Sequence, residues 1–256
     1  MSDQQQPNSV IPPRQDTYTV PPFEDLTLMV FGRPGSGKTR FCGGDDKAIF
    51  AATEPGQEFI KSTVVPVREW PTFKKLVFEL GHLKKDGKLP YSACVIDIVD
   101  NLNVMCRDSV CKAKGVTYPS DKDFGKTWAE CNREWTQWLR VLMDIINVRF
   151  VTHCNMVDIE VPMDNGIKQE VSCHVPTFSN NKAAQYLDGI VNCVGYIHKK
   201  LDGAHVITFK QEPAIAAKDR TDILAQLGEL PLDWATVRDA YAKKAEELGF
   251  KIRSKR

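Results

Sequence analysis

An α/β fold built on a mostly parallel sheet flanked by helices is predicted by three features of the sequence. Strand-like and helix-like segments alternate over the first 150 residues. Two near-continuous apolar runs, Leu26–Phe31 (LTLMVF) and Tyr91–Val99 (YSACVIDIV), have the character of strands covered on both faces. Beyond residue 150 the pattern turns rich in β-hairpin signals.

The elements follow in order. Residues 1–23 carry Pro7, Pro12, Pro13, Pro21 and Pro22 and little that packs, which predicts a flexible arm. The run Leu26–Phe31 ends in a glycine-rich turn, and a helix is expected from Gly37. Ala48–Thr53 (AIFAAT) and Val64–Val67 read as strands. Pro71–Leu83 reads as a helix, with Pro in the first turn and Phe73, Leu76, Val77 and Leu80 on one face. Phe124–Ile146 is the longest helix. Its Trp128, Trp135 and Trp138 recur at helical spacing, a pattern of core residues more than of base-stacking ones. Val148–Cys154 is a further strand. Met156–Pro162 and Ile167–Cys173 flank Asp164-Asn165-Gly166, a hairpin signal. Lys182–Leu187 is helical, and Ile190–His198 and His205–Phe209 are strands around Leu201-Asp202-Gly203. Leu232–Leu248 is a closing helix that stops at Gly249 before the basic tail KIRSKR.

Composition bounds the possibilities. Hydrophobic residues make up 42% of the 256 and charged residues 26%, enough for a sizeable core. The net charge of +1 excludes a global field for nucleic acid or membrane, so any polyanion site must be local. The opening MSDQQQPNSV lacks a leader pattern and no apolar run reaches the length of a membrane span. The expectation is a cytoplasmic protein that meets no membrane. None of the eight cysteines forms a C-x-x-C pair. Reduced thiols are expected, with a metal or disulfide role for Cys106, Cys111 and Cys131 as the alternative.

One motif carries chemistry outright. Gly32-Arg33-Pro34-Gly35-Ser36-Gly37-Lys38-Thr39 fits G-x-x-x-x-G-K-[ST] between a strand and a helix, with Arg40 next in line. Glycines let successive N–H groups point inward at phosphate oxygens. Lys38 reaches the β- and γ-phosphates and Thr39 ligates magnesium, which makes ATP with Mg2+ the expected ligand. Binding is not hydrolysis, which needs a metal-holding carboxylate and a group that orients water. Asp97, ending the apolar run ACVI, suits the metal, with Asp100 as its competitor and a helix cap as the latter's plainer role. Glu54, after the strand AIFAAT, suits the water, or is a loop acid before Pro55-Gly56.

The ordered pieces FGRPGSGKT, FAATEPGQ, YSACVIDIVDNL, YPSDKDFGKTW, RFVTHCN and AAKDRTDIL together resemble the RecA-like P-loop ATPases. Within these they are similar to the phage nucleotide-binding AAA-domain proteins related to single-strand annealing ATPases. The resemblance implies a RecA-like ATPase domain over 24–228, preceded by the arm 1–23 and followed by a C-terminal helix and basic tail over 229–256. It implies Glu54 as the catalytic glutamate, Asp97 as the Walker-B aspartate, and His153 where a polar γ-phosphate sensor, usually glutamine, stands. Lys218 or Arg220 matches the segment inserted into a neighbouring subunit's site, with a solvated charge cluster as the plain alternative. The implied partners are single-stranded DNA, further copies of the chain with ATP between them, and a single-strand binding protein. The setting would be phage recombination or replication, in the host cytoplasm.

Such proteins line the DNA path with the loops after the Walker-B and sensor strands. Here the first is roughly Arg107–Lys126, with Lys112, Lys114, Tyr118, Lys122 and Phe124, a mixture suited to phosphate contacts and base stacking. The second, Met156–Cys173, carries Asp158, Glu160, Asp164 and Glu170 against Lys168, which argues against phosphate contact. The tail's Lys251, Arg253, Lys255 and Arg256 read as a solubilising end or a non-specific contact. The rival functions are a non-catalytic nucleotide switch and a P-loop small-molecule kinase. The kinase is disfavoured by the scarcity of arginine between Arg40 and Arg133.

Overall fold

The computed structural model describes residues 19–119, 123–162 and 168–253. The Asp164-Asn165-Gly166 turn, Lys122, most of the expected arm and the last three tail residues lie outside them. The strands are β1 (Thr19–Val20), β2 (Leu28–Gly32), β3 (Ala48–Ala52), β4 (Thr63–Pro66), β5 (Ala93–Asp97), β6 (Asn147–Pro162), β7 (Lys168–Pro176), β8 (Cys193–Lys199), β9 (His205–Thr208), β10 (Lys218–Asp219), β11 (Glu229–Pro231) and β12 (Lys251–Ile252). The helices are α1 (Lys38–Cys42), α2 (Trp70–Lys85), α3 (Val99–Ala113), α4 (Lys126–Ile145), α5 (Asn181–Ile190) and α6 (Trp234–Glu247).

The main sheet runs β11-β9-β8-β2-β6-β5-β3-β4. From β8 to β4 every neighbour is parallel. This is why β2 and β3 are apolar at every position and β5 at all but its last, Asp97: each is buried along its whole length. One face packs α2, α3, α4 and α5 around Phe31, Phe150, Trp135 and Leu139. The other packs α1 and α6 around Val30, Phe41, Ile197 and Tyr241. Antiparallel strands β9, β10 and β11 extend the β8 side, and β7 folds back along the outer half of β6.

Three expectations need correction. Val99–Ala113 is a helix where the sequence reading left a connection. Its Val99, Leu102 and Cys106 are buried at helical spacing, and tertiary packing overrides the weak helix preference of Asp100, Asn101 and Asn103. The expected loop Arg107–Lys126 is therefore helical through Ala113. The expected pair Val148–Cys154 and Met156–Pro162 is one sixteen-residue strand, half core and half exposed ribbon. The helix expected from Gly37 is present, and it spans five residues because Gly43 and Gly44 stop it; a Cβ on Gly44 would lie 2.5 Å from Trp234. The described residues of the expected arm, 19–23, and of the C-terminal segment, 229–253, also belong to the fold. Val20 and Phe23 are buried, β1 pairs with β12, and β11 and α6 join the sheet and core that residues 24–228 build.

Arg149 pins α1, β6 and α6 together from inside. It is fully buried, donates to Asp45 Oδ2 at 2.6 Å and to the Cys42 carbonyl at 3.3 Å, and lies 4.0 Å from the Trp234 ring centre. Burial pushes the Asp45 carboxyl up; Arg149, Ser92 and the Lys47 N–H outweigh it and hold the group below its usual range. Arg149→Ala leaves Asp45 uncompensated and is expected to lower unfolding free energy by about 3 kcal/mol. Urea unfolding checks this; Asp45→Asn in the same chain should recover part of the loss, as coupled partners do.

Candidate nucleotide site

The parallel register brings four strand ends to one edge. Gly32 pairs with His153, and Asp97 pairs with Ala52 and Val151, so β2, β6, β5 and β3 deliver Gly32, His153, Asp97 and Glu54 side by side. An open parallel sheet places its ligand crevice there. The loop from Arg33 to Gly37 arches over the end of β2. Gly35 (φ +74°) and Gly37 (φ +101°) supply conformations that L side chains avoid, and a Cβ on Gly32 would lie 2.3 Å from the Ile197 carbonyl oxygen. With a one-turn α1, the helix dipole is small, so the loop's own N–H groups must supply most of the anion field.

Lys38 is buried, and its Nζ donates to the Gly32 and Arg33 carbonyls at 2.9 and 3.0 Å. Burial lowers its pKa, opposed by the charges of Asp97 and Glu54. Thr39 Oγ1 donates to Asp97 Oδ2 at 2.8 Å, and Gln57 Nε2 donates to the same oxygen at 3.1 Å. Asp97 is 1% exposed and its Oδ1 has no hydrogen-bond partner. Burial pushes its carboxyl up, partly offset by the Thr39 and Gln57 bonds.

Glu54 Oε2 lies 3.6 Å from His153 Nε2 and 3.5 Å from Asn101 Nδ2. Lys38, Thr39, Arg40, Glu54 and His153 line one pocket of 510 Å3, with Pro34, Gly35 and Gly37 on its wall and Phe59, 95% exposed, beside them. Asp100 turns elsewhere and accepts from Ser179 N and Oγ. Arg33 also leaves this pocket, its Nη2 lying 3.8 Å from Met156 Sδ, while Ser36 Oγ is buried without a partner. A larger cavity of 810 Å3 lies against Asp45, Lys84, Asp144 and Arg238 and contains none of these converging side chains.

The family profile described as an AAA domain matches residues 24–221, more than half of the chain. The chain belongs to the AAA domain family. No curated protein matches it. Membership in the AAA domain family carries nucleotide binding and ATPase activity of the general kind, and the matched span contains every side chain of the pocket. The donor set also fits the magnesium that such domains use. A Thr hydroxyl and one carboxylate with an unpartnered oxygen are hard oxygen ligands, and magnesium takes only one or two protein carboxylates beside phosphate and water oxygens.

Other candidates stand apart. Lys218 lies in β10 and Arg220 directly after it, and Lys218 pairs with Val194, in register with Met29 and not with the Gly32 end of β2. Lys218 is held by Asp188 and Arg220 by the Gly189 carbonyl, outside this chain's own pocket. All eight cysteines are free, and no cluster of three metal-binding side chains exists among the described residues. No helix among them is long and apolar enough to cross a membrane.

Sequence reasoning missed three residues that hold the site. Gln57 steadies Asp97, Asn101 contacts Glu54, and Thr53 ties the ends of β3 and β5 by accepting from Ile98 N and donating to Ile98 O. The stretch EPGQ held the signal for Gln57, a polar residue just past a strand-end turn.

Proposed function

We propose that the chain is a RecA-like ATPase that couples magnesium-dependent ATP hydrolysis to single-stranded DNA in phage recombination or replication. The observation that carries the hydrolytic reading is the Thr39–Asp97 bond of 2.8 Å with Glu54 across the same pocket. Thr39 and Asp97 would hold the metal, which supplies charge neutralisation at the phosphates. Lys38 would neutralise the β- and γ-phosphates and Glu54 would accept the proton of the attacking water. His153 would sense the γ-phosphate through its contact with Glu54. Lys218 or Arg220 would serve the site of an adjacent copy.

The connection between α3 and α4 supports the DNA part. Arg107 lies over Tyr118 at 4.9 Å, Tyr118 meets Trp128 edge-on, Phe124 is 94% exposed, and Lys112, Lys114 and Lys126 belong to the same stretch, Lys114 being paired with Glu130. Basic and aromatic groups so mixed suit single strands. The test is the ATPase rate of wild type and Lys38→Ala with and without single-stranded DNA. The expected result is a DNA-stimulated wild-type rate and none in the variant. Tight ATP binding without turnover would replace this reading by a nucleotide switch, and phosphate transfer to an added nucleoside by a kinase.

A further inference from the structure

The phosphate loop has a second pocket. The nucleotide pocket lies on the β3 and β5 side of the loop; another, of 340 Å3, lies on its β8 side. Its wall combines Arg33 and Ser36 of the loop with His174 of β7 and Tyr196, His198 and Lys199 of β8. We propose that this pocket is a second phosphate-ester site, distinct from the ATP pocket and sharing the loop with it.

Charge is the first argument. Four of these side chains are cationic or can become so, and no carboxylate lines the pocket, in a chain whose net charge is only +1. Arg33 has Met156 Sδ as its polar contact, and no carboxylate pairs with Arg33 or Lys199 among the described residues. The nearby acid, Glu229, sits behind His198 and is engaged by His198 Nε2 at 3.1 Å and Lys200 Nζ at 2.6 Å. Burial, and then the charges of Arg33 and His198, push the His174 imidazole below its usual range. An anion there would meet Arg33 and Lys199, which lack a carboxylate partner among the described residues, together with the face of the pocket that His174 lines.

Preorganisation is the second. His174, Tyr196 and His198 stack in one row, with centroids 5.0 and 5.1 Å apart and planes within 17°. The row fixes two imidazoles before any ligand arrives, which lowers the entropy lost on binding. The third argument is linkage. Pro34 and Gly35 line both pockets, and Lys38 binds the Arg33 carbonyl. A triphosphate that draws Lys38 to itself changes the loop that carries Arg33, so the two ligands must alter each other's affinity by the same factor.

The phosphate belongs to a nucleic-acid strand or to a free nucleotide. A strand as the source rests on the reading above; the site itself does not. Labelled oligothymidylate anisotropy and calorimetric titration with thymidine monophosphate separate the two, on wild type, His174→Gln/Lys199→Gln and the single Lys199→Glu, whose side chain is at the surface. A fluorescent ATP analogue monitors the other pocket. The expected result is oligonucleotide affinity about tenfold weaker in the double variant, with a shallower salt dependence, a loss also in Lys199→Glu, and unchanged ATP-analogue affinity. Monophosphate binding that the variants lose, without oligonucleotide binding by wild type, keeps the site and removes the strand. Equal affinities of wild type and both variants for both probes overturn the proposal. So does loss of ATP-analogue binding in the variants, which would make the pocket part of the first site.

Discussion

Glu54→Gln is expected to slow ATP turnover about 10²–10⁴-fold, the range a positioned general base contributes, while ATP affinity stays unchanged. The substitution keeps the size and the polarity of the side chain and removes its negative charge, and with it the capacity to take a proton. Its place makes the effect large. Glu54 follows β3, whose end is tied to β5 by Thr53 and Ile98, so the carboxylate stands beside Asp97's strand and faces Lys38 and Thr39. Asn101 and His153 contact the same oxygen, Oε2, and limit its rotation. An amide at that position still accepts from Asn101 but cannot take a proton from water. Phosphate release at saturating ATP, beside equilibrium binding of an ATP analogue, reads the two quantities separately. Turnover equal to wild type would return Glu54 to the role of a loop acid before Pro55-Gly56.

The central sheet was legible because parallel strands covered on both faces read as near-continuous apolar runs, as β2 does throughout and β5 does up to Asp97. The phosphate loop was legible for a different reason: its glycines answer to backbone demands, a positive φ at Gly35 and Gly37 and a lack of space at Gly32. Helix α3 was not, since its polar start carries no strong local preference and its apolar side is specified by α2 and α4. The unbroken β6 was hidden because its environment changes midway, from core at Val151 to solvent at Met156, and a strand with two burial regimes reads as two strands. Gln57 was hidden by distance in the chain. Its bond spans 40 residues and exists only through the pairing of Ala52 with Asp97, which no local pattern announces. Lys218 and Arg220 stand beyond any single chain, because the role the resemblance gives them is played in another copy's site.

Asp97→Asn is expected to move stability and metal response in opposite directions. In the absence of ligand the variant should be more stable than wild type, because the substitution removes a charge buried with only half of its hydrogen-bonding capacity met. The carboxylate is 1% exposed, and while Oδ2 has Thr39 and Gln57, Oδ1 has nothing. Burial raises this carboxyl in the folded state. A carboxyl raised by folding binds its proton more tightly there than in the unfolded chain. It therefore subtracts stability at neutral pH and restores it as pH falls back through the raised value. Asparagine keeps an acceptor for Thr39 and Gln57 and removes the buried charge. The same charge makes the site attractive to a hard cation, and a ligand at a hundred times its dissociation constant stabilises the fold by about 2.7 kcal/mol. At about 2–4 °C per kcal/mol for a chain of this size, wild type should melt several degrees higher with ATP and magnesium, and the variant should lose the magnesium-dependent part of that gain. Calorimetric melting with and without magnesium decides it. A variant that melts below wild type without ligand, and responds to magnesium as wild type does, would place Asp97 in the fold and not at the metal.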